Sequence, residues 1–268
     1  MDAEYWPAAN RGVAVYDLGH DLYTGMPVWT SHIPYQLALR RRHGDTVRPD
    51  GVSAASDVII MSAHTGTHID ALCHISRNGR MHGGADAAAS QGADGFDRLG
   101  VETIEPIVGR GVLLDIAEYR GVEVLPPGYE ITPEDLEGAA AAAGVQVRPA
   151  DSLVIRTGWD VHYDDPAAYV SAGVGAPGPG EQAARWMAAH RIRVCGSDSI
   201  SFECMDATQS VLPVHAALLV DAGIPIIEAL SLGELAADRH REFLLIVSPL
   251  RLRGATGSPV RPLAIVPR

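Results

Sequence analysis

Cysteine is scarce in this chain, which has only Cys73, Cys195 and Cys204 among its 268 residues. An odd number of cysteines without C-x-x-C spacing excludes a disulfide-stabilised scaffold. Basic residues are also few: 21 stand against 33 acidic residues, which gives a formal net charge of −12. Because so acidic a surface repels phosphate backbones and anionic membranes, we expect neither nucleic acid nor a membrane as a partner.

The amino terminus lacks the pattern of a secretory leader. The stretch MDAEYWPAANRG has neither a basic region nor an apolar run, and it predicts a cytoplasmic protein that begins with a short tail or arm. No internal repeat or low-complexity segment stands out. Hydrophobic residues make up 47% of the chain and charged residues 20%, which is typical of a globular protein with a sizeable core.

What the chain does have is a concentration of histidine in the segment HTGTHIDALCH, residues 64–74. His68, Asp70 and His74 follow His64 at even offsets, so an extended chain would place all four side chains on one face. A helix would turn Asp70 away. A straight strand at ~3.3 Å per residue would separate the first two histidines by roughly 13 Å, too far to share a metal ion. The chain must therefore bend, and Gly66 allows it.

This segment predicts a strand end or bulged loop that binds a divalent ion through His64, His68 and Asp70. The simpler alternative is a polar loop with hydrogen-bonded histidines, and it explains one histidine better than three histidines and an aspartate on one face. Imidazole and carboxylate ligands suit zinc or manganese better than calcium, which prefers oxygen.

The segment resembles the signature H-x-G-T-H-x-D-x-P-x-H of the metal-dependent cyclase family, which includes bacterial kynurenine formamidase and isatin hydrolase. Leu72 stands in place of the family's proline, and every polar position matches. The stretches YDLGHDLYTGMPVWT and RTGW are also similar to family elements. The resemblance covers about Val15 to Pro249 and implies the family's swivelling β/β/α fold, as a single domain over residues 1–268.

The resemblance also implies roles for individual residues. His215 and Glu228 would complete the metal site as further ligands, and His74 would act as the general acid and base. Independently, an acid inside the apolar run IPIIEAL is costly unless a cation or hydrogen bonds compensate it. The alternative is a salt-bridged Glu228 and a surface His215. Trp29 would line the substrate pocket, although a tryptophan packed under a loop would look the same.

Strand and helix patterns alternate along the chain and predict one mixed α/β domain. Thr132, Pro133 and Gly144 mark the start and end of an alanine-rich helix.

Asp198 follows a short strand and is either a group that supports the site or a simple turn cap. Residues 170–179 read as a mobile loop near the site opening. The arginine-rich carboxyl-terminal stretch reads as an edge element or arm. We expect strands at 13–17, 36–41, 57–63, 107–117, 194–196, 224–230 and 243–250, a strand that runs into a glycine turn over 152–159, and helices at 181–190 and 211–223.

These features predict a hydrolase that attacks an amide or cyclic amide carbonyl. A catalytic zinc lowers the pKa of its bound water from ~15.7 towards ~7, and His74 would move the proton. Three alternatives stay open: a lactone hydrolase or ring-forming cyclase with the same metal site, a hydrolase that uses Cys73 as nucleophile, and a metal-binding protein without turnover. The expected partners are an aromatic or cyclic small molecule and, as the resemblance implies, further copies of the chain in a homodimer or higher homo-oligomer.

Overall fold

The structure is a computed structural model that describes residues 12–205 and 211–268. The strands in this part of the chain are β1 (Val13–Asp17), β2 (Gln36–Arg41), β3 (Ser56–Ile60), β4 (His68–Asp70), β5 (Gln91–Gly92), β6 (Gly95–Phe96), β7 (Ile107–Asp115), β8 (Glu130–Ile131), β9 (Ser152–Arg156), β10 (Gly178–Pro179), β11 (Val194–Ser197), β12 (Ile226–Glu228), β13 (Glu242–Val247), β14 (Gly257–Pro259) and β15 (Leu263–Pro267). The helices are α1 (Ala87–Ser90), α2 (Ile116–Arg120), α3 (Pro133–Ala143), α4 (Pro166–Val170), α5 (Glu181–Ala189), α6 (Pro213–His215, continued by a π-helix over Ala216–Ala222) and α7 (Gly233–Ala237).

One mixed sheet organises the fold, in the order β1-β15-β13-β7-β9-β11-β12-β4-β14. Its central strands β7, β9, β11 and β12 run parallel, and antiparallel strands flank them on both sides. Three two-stranded pairs, β2–β3, β5–β6 and β8–β10, lie outside this sheet. The mixed α/β class expected from the sequence is therefore confirmed.

The two faces of the sheet bury separate hydrophobic clusters. Val112 and Leu114 of β7 pack into the cluster beneath α3, α5 and α6, whereas Leu113 between them packs into the cluster on the opposite face. This alternation is expected of strands that are covered on both faces. A third cluster, which includes Trp159, Tyr163 and Tyr169, packs beside the candidate site described below.

Helix α3 follows the local signals in the sequence. The Thr132 hydroxyl accepts a hydrogen bond from the Asp135 backbone N–H, and the Asp135 carboxylate accepts one from the Thr132 N–H in return. Pro133 occupies the first helical position, and Gly144 ends the helix with a left-handed φ of +69°. The prediction for this helix is confirmed because capping depends only on neighbouring residues.

Residues 170–179 differ from the expected mobile loop. The second half of this segment is buried, Ala176 packs into the aromatic cluster, and β10 pairs with β8. A Cβ atom on Gly178 would lie 2.2 Å from the Phe202 carbonyl oxygen. The small residues therefore allow close packing of backbone on backbone, and the expectation of a mobile loop is wrong for this half of the segment.

The carboxyl-terminal stretch agrees with expectation in part. Strand β14 lies at one edge of the main sheet, as the expected edge element would, whereas β15 lies between β1 and β13 inside the sheet and is neither an edge element nor an arm. The tail or arm expected at the amino terminus lies outside the described residues. Within residues 12–205 and 211–268, none of the helices is long and apolar enough to cross a membrane.

Candidate metal centre

The histidine segment bends at Gly66, as its spacing predicts. Gly66 has a φ of +63°, in the left-handed region, and β4 begins two residues later at His68. A Cβ atom at this position would lie 2.5 Å from the Leu22 Cδ2 atom and 2.9 Å from the Met26 Cε atom, and the left-handed φ itself favours glycine. The bend leaves the ring centroids of His64 and His68 5.1 Å apart.

Strand register then brings distant residues to the same place. β4 pairs with β12 so that His68 lies opposite Glu228, and Asp70 lies opposite Ile226. His68, Asp70 and Glu228 therefore share one face of the sheet. His215 is the last residue of α6, and its buried ring reaches the same cluster.

The five side chains approach one another at distances typical of ligands around an ion. The Nδ1 atom of His64 lies 2.7 Å from Asp70 Oδ1, and the Nε2 atom of His68 lies 3.5 Å from the same oxygen. Glu228 lies 3.3 Å from His68 Nε2 and 3.1 Å from His215 Nε2, which is itself 3.6 Å from Asp70 Oδ2. Atoms bound at ~2.0–2.2 Å to zinc stand roughly 3.0–3.6 Å apart.

Asp70 provides the test of whether these residues fit a metal ion. Both of its carboxylate oxygens are buried, and neither has a hydrogen bond of acceptable geometry to any described residue, although the His64 nitrogen is close. A buried carboxylate without such partners is costly. A cation between Asp70 and its histidine and glutamate neighbours would remove that cost, so the donor set fits a divalent ion.

Each of the three histidine rings of His64, His68 and His215 has one nitrogen that points away from the carboxylates and is already hydrogen-bonded. His68 Nδ1 donates to the Gly66 carbonyl at 2.8 Å, and His215 Nδ1 donates to the Glu203 carboxylate. His64 Nε2 is hydrogen-bonded to the Thr256 hydroxyl at 2.8 Å. In each ring the other nitrogen faces the carboxylates. Histidines that bind metals show this arrangement, in which an outer hydrogen bond fixes the tautomer and the ring orientation.

The electrostatics of the cluster favour a bound cation. Burial opposes a charged imidazole, yet the hydrogen bond to Glu228 and the charge of Asp70 raise the pKa of His68 to about 9. Burial likewise opposes a charged His215, yet the nearby carboxylates of Asp70, Glu203 and Glu228 raise the pKa of His215 well above its usual value. Although burial favours a neutral carboxyl, His74 and His64 hold the pKa of Asp70 well below its usual range. The buried carboxylates thus attract positive charge.

His74 lies at the edge of this cluster. Ligand atoms of His64, Asp70 and His74 all lie within 4.8 Å of one another, and those of His68, Asp70 and Glu228 form a second such group. The His74 ring centroid is 4.1 Å from that of His64. Burial lowers the pKa of His74 to about 4. This geometry allows His74 either to bind an ion or to stand beside one.

A cavity of about 280 Å³ opens onto the cluster. Trp29 lies in its wall, where the family resemblance implies it. The wall is otherwise largely apolar and aromatic, with Tyr163, Ile200, Met205 and Leu212 among the lining side chains. No arginine occurs among the described residues of this wall, and the whole chain contains no lysine.

The Asp198 carboxylate hydrogen-bonds to the turn that follows β9. Its buried carboxylate accepts hydrogen bonds from the Thr157 N–H at 2.8 Å, the Thr157 hydroxyl at 2.6 Å and the Gly158 N–H at 2.7 Å. The Tyr169 hydroxyl donates to the Asp198 carbonyl at 2.9 Å, and Tyr169 lines the cavity. These contacts favour the turn-cap alternative for the carboxylate, since they hold the backbone and not the metal ligands.

Cys73 faces away from the cavity. Its side chain is buried in the hydrophobic cluster on the opposite face of the sheet, and its thiol donates to the Ala255 carbonyl at 3.6 Å. Burial raises the pKa of this thiol to about 11, which disfavours a thiolate at neutral pH. The alternative of a cysteine-dependent hydrolase therefore has no accessible nucleophile at this position.

Three residues near the site were missed by sequence reasoning. Glu203 binds the His215 ring, Thr256 binds His64, and the His32 Nδ1 atom donates to the His64 carbonyl at 3.1 Å. An acid in the stretch ISFECM is the same kind of signal that pointed to Glu228, and it could have indicated Glu203. No local pattern could indicate Thr256, because it lies 192 residues from His64 along the chain.

The chain thus has a mixed α/β fold with a buried cluster of histidines and carboxylates next to an aromatic-lined cavity. Proteins of this class can hold a divalent ion beside a small molecule. The model of the cyclase family matches residues 16–204 of this chain. The chain therefore belongs to the cyclase family.

Similar proteins agree with this assignment. The chain is 27% identical to the isatin hydrolase of Roseibium aggregatum, in an alignment that covers 82% of this chain and 78% of the relative. It is also 27% identical to the kynurenine formamidase of Sphingopyxis alaskensis, with coverage of 92% and 95%. A crystal structure of a novel cyclase superposes with a TM-score of 0.87 at 32% identity and covers 98% of this chain and 91% of that one.

Proposed function

We propose that this protein is a metal-dependent hydrolase that cleaves the amide bond of a neutral aromatic or cyclic amide. Its assignment as a hydrolase of carbon–nitrogen bonds rests on relatives that are an isatin hydrolase and kynurenine formamidases. The observation that carries the metal dependence is Asp70, whose two buried oxygens lack hydrogen-bond partners of acceptable geometry among the described residues and face the ring nitrogens of His64 and His215.

His64, His68, Asp70, His215 and Glu228 would hold the ion or ions. Their mixture of imidazole and carboxylate suits zinc and manganese. When bound, such an ion supplies an acidified water and polarises the substrate carbonyl. Glu203 and Thr256 keep the ligand rings in place through their hydrogen bonds to His215 and His64.

The proposed role of His74 is to carry a proton. It borders the cavity next to the cluster, so its imidazole can take a proton from the attacking water and return it to the leaving nitrogen. The aromatic and apolar wall that includes Trp29 and Ile200 would hold the substrate ring and exclude water from it.

The lining also favours uncharged substrates. A substrate with a free carboxylate would bury that charge against a wall whose described residues include no arginine, and burying an unpaired charge is costly. This favours a neutral cyclic amide such as isatin, or a simple aryl-formamide, over a formamide that carries an amino-acid group. A lactone hydrolase or ring-forming cyclase is the second candidate, because the same site can polarise a ring ester. The few cysteines favour a cytoplasmic location.

The test combines metal analysis with a substrate screen. Protein purified without added metal is expected to contain zinc or manganese, to lose activity on chelation, and to regain it with one of the two ions. The screen compares isatin, formanilide, formyl-kynurenine and an aryl lactone, and turnover of isatin or formanilide is expected to exceed that of the other two.

His68→Ala is the matched ligand variant, and His82→Ala is its control. The His82 Nδ1 atom donates a hydrogen bond to the Val220 carbonyl at 2.9 Å, and His82 belongs to neither group of candidate ligands. His68→Ala is expected to lose the ion, whereas His82→Ala keeps it. A full metal content in His68→Ala, or full activity of metal-free protein, would overturn the metal assignment. Preferred turnover of the lactone would support the second candidate.

A further inference from the structure

His32 is a polar side chain of the cavity wall to which the reaction proposed above gives no role. Its ring centroid lies 5.6 Å from that of His64, and its Nδ1 atom donates to the His64 carbonyl at 3.1 Å. None of the described residues forms a hydrogen bond with its Nε2 atom. Because the ring lines the cavity, Nε2 is available to a molecule bound there.

Hydrogen bonds hold the His32 segment on three sides. The His32 N–H donates to the Trp29 carbonyl at 2.9 Å and closes a turn. The Ser62 N–H donates to the Ile33 carbonyl at 3.1 Å, and the third bond joins the His32 ring to the His64 carbonyl. A polar group that the fold already holds in place loses little freedom when a ligand binds to it.

The bond to the His64 carbonyl also determines which ring nitrogen carries the proton. A carbonyl oxygen can only accept a hydrogen bond, so Nδ1 of His32 carries the hydrogen. Histidine has an ordinary pKa of ~6.5 and is neutral at pH 8, where the second ring nitrogen has a lone pair and no hydrogen. His32 therefore offers the cavity a hydrogen-bond acceptor that cannot become a donor by rotation.

The hydroxyl groups of the cavity wall differ from His32 in this respect. A hydroxyl can donate as well as accept, and its hydrogen rotates to suit the partner. Ser31, next to His32, lines the same cavity and has this freedom. A fixed acceptor distinguishes a substrate that carries an N–H group from one that carries only acceptors, whereas a rotating hydroxyl does not.

We propose that His32 selects amides over esters by accepting a hydrogen bond from the substrate N–H. This inference rests on the hydrolase function proposed above, in which the metal cluster holds the substrate carbonyl and the same cavity holds the group attached to it. An ester has an oxygen in place of the N–H, and its lone pairs would repel the Nε2 lone pair. Selection therefore comes from a lost hydrogen bond and from repulsion together.

The experiment compares isatin with N-methylisatin at pH 8, because the methyl compound lacks the N–H. If formanilide is the better substrate, it is compared with N-methylformanilide. Wild-type protein is expected to show a kcat/KM at least tenfold higher for the N–H compound. The test variant is His32→Asn, whose amide nitrogen can replace Nδ1 and keep the bond to the His64 carbonyl, while no acceptor remains at the position of Nε2. We expect the preference to fall about tenfold in this variant.

Two further variants separate the acceptor from the packing of the segment. Ser31→Ala is the matched control beside His32, and it is expected to keep the wild-type preference. His32→Gln can place an amide oxygen near the position of Nε2, and it is expected to keep more of the preference than His32→Asn. The metal content of each variant is measured and is expected to equal that of wild type.

A binding measurement tests the same contact without turnover. Oxindole is a lactam that lacks the second, activating carbonyl of isatin, and N-methyloxindole is its partner without the N–H. Calorimetry is expected to show that wild-type protein binds oxindole about tenfold more tightly than N-methyloxindole. His32→Asn is expected to bind the two compounds equally.

Four outcomes would overturn the role of His32. They are equal turnover of the two compounds by wild type, an unchanged preference in His32→Asn, a preference in His32→Gln as low as that in His32→Asn, and loss of metal from His32→Asn. The last would show that the ring only supports the segment that carries His64. Failure of the proposed function has a different signature, because metal-loaded wild-type protein would then hydrolyse neither isatin nor formanilide, and this inference would fall with it.

Discussion

His74 lies where a histidine can either bind an ion or carry a proton beside it. Its ligand atom falls within 4.8 Å of those of His64 and Asp70, and its ring borders the cavity. We predict that His74→Ala keeps its fold and its metal while kcat falls by ~10²-fold or more, the usual contribution of a general acid or base. Metal content and steady-state kinetics of the variant, measured on the best substrate of the screen, are the readout.

The two failures of this prediction have different meanings. Loss of the metal from His74→Ala would make His74 a ligand. Unchanged turnover with the metal present would remove it from the mechanism. A protein that only bound metal would show no turnover before or after the substitution, so this residue also separates an enzyme from a metal carrier.

Glu203 acts on the site through His215. Its carboxylate accepts the His215 Nδ1–H and the backbone N–H groups of Val214 and His215, and thereby directs the opposite ring nitrogen at Asp70 and Glu228. We predict that Glu203→Gln lowers metal affinity by about 10–100-fold, as is typical for partners that orient a metal-binding histidine. Competition with a fluorescent chelator measures this affinity.

Glu181→Gln is the control for this residue. Glu181 is a partly exposed acid whose partner, Arg185, lies one helical turn away in α5. It is expected to leave affinity within error of wild type. Equal affinities for Glu203→Gln and wild type would show that the His215 ring is held by its packing alone.

At the scale of elements, the bend at Gly66 before β4 determines whether His64 and His68 can lie close together. Gly66 combines a φ of +63° with close contacts to Leu22 and Met26. We predict that Gly66→Ala lowers the free energy of unfolding by about 2–4 kcal/mol, because ~1–2 kcal/mol of left-handed strain adds to the cost of overpacking. Urea unfolding measures the loss, and metal affinity should fall with it.

Gly79→Ala isolates the backbone contribution. Gly79 has a similar φ of +73° in the turn between Arg77 and Arg80, but a Cβ atom there would contact nothing within 4 Å. This control should lose only the strain energy and keep its metal affinity. Equal losses in the two variants would mean that the side chains around Gly66 move aside without cost.

Elements differ in how far the sequence predicts them. Helix α3 forms as predicted, because capping preferences depend on neighbouring residues. Strand β4 is only three residues long, and its partners β12 and β14 lie far along the chain. No periodicity in three residues can indicate which strands will flank them.

At the scale of the whole molecule, the buried carboxylates would couple the binding of an ion to folding. An ion that binds only the folded protein adds about 2.7 kcal/mol of stability at a free concentration one hundred times its Kd. For a chain of this size that corresponds to a rise of roughly 5–10 °C in Tm. We predict this difference between protein with zinc or manganese and protein with excess chelator, measured by calorimetry.

The His68→Ala variant is the reference for this measurement. If the rise in Tm comes from the cluster, metal should change the Tm of this variant little. A wild-type Tm that is the same with and without metal would contradict a site of the proposed affinity.

The sequence by itself determined the chemistry of the site and the bend that forms it. The even spacing of His64, His68, Asp70 and His74 selects the side chains that can share a face, and Gly66 allows the left-handed turn between them. These properties reside in eleven consecutive residues, so a local pattern can carry them.

Only the tertiary structure decided what joins that segment. Glu228 and Thr256 reach it through strand order and register, which place β12 and β14 on either side of β4, whereas His215 and Glu203 reach it from helix α6 and the segment before that helix. The same holds for β15, which enters the interior of the sheet, and for the hairpin of β2 and β3, which lies outside the sheet. Strand pairing over such distances depends on the packing of the whole core, and so no local stretch of sequence contains it.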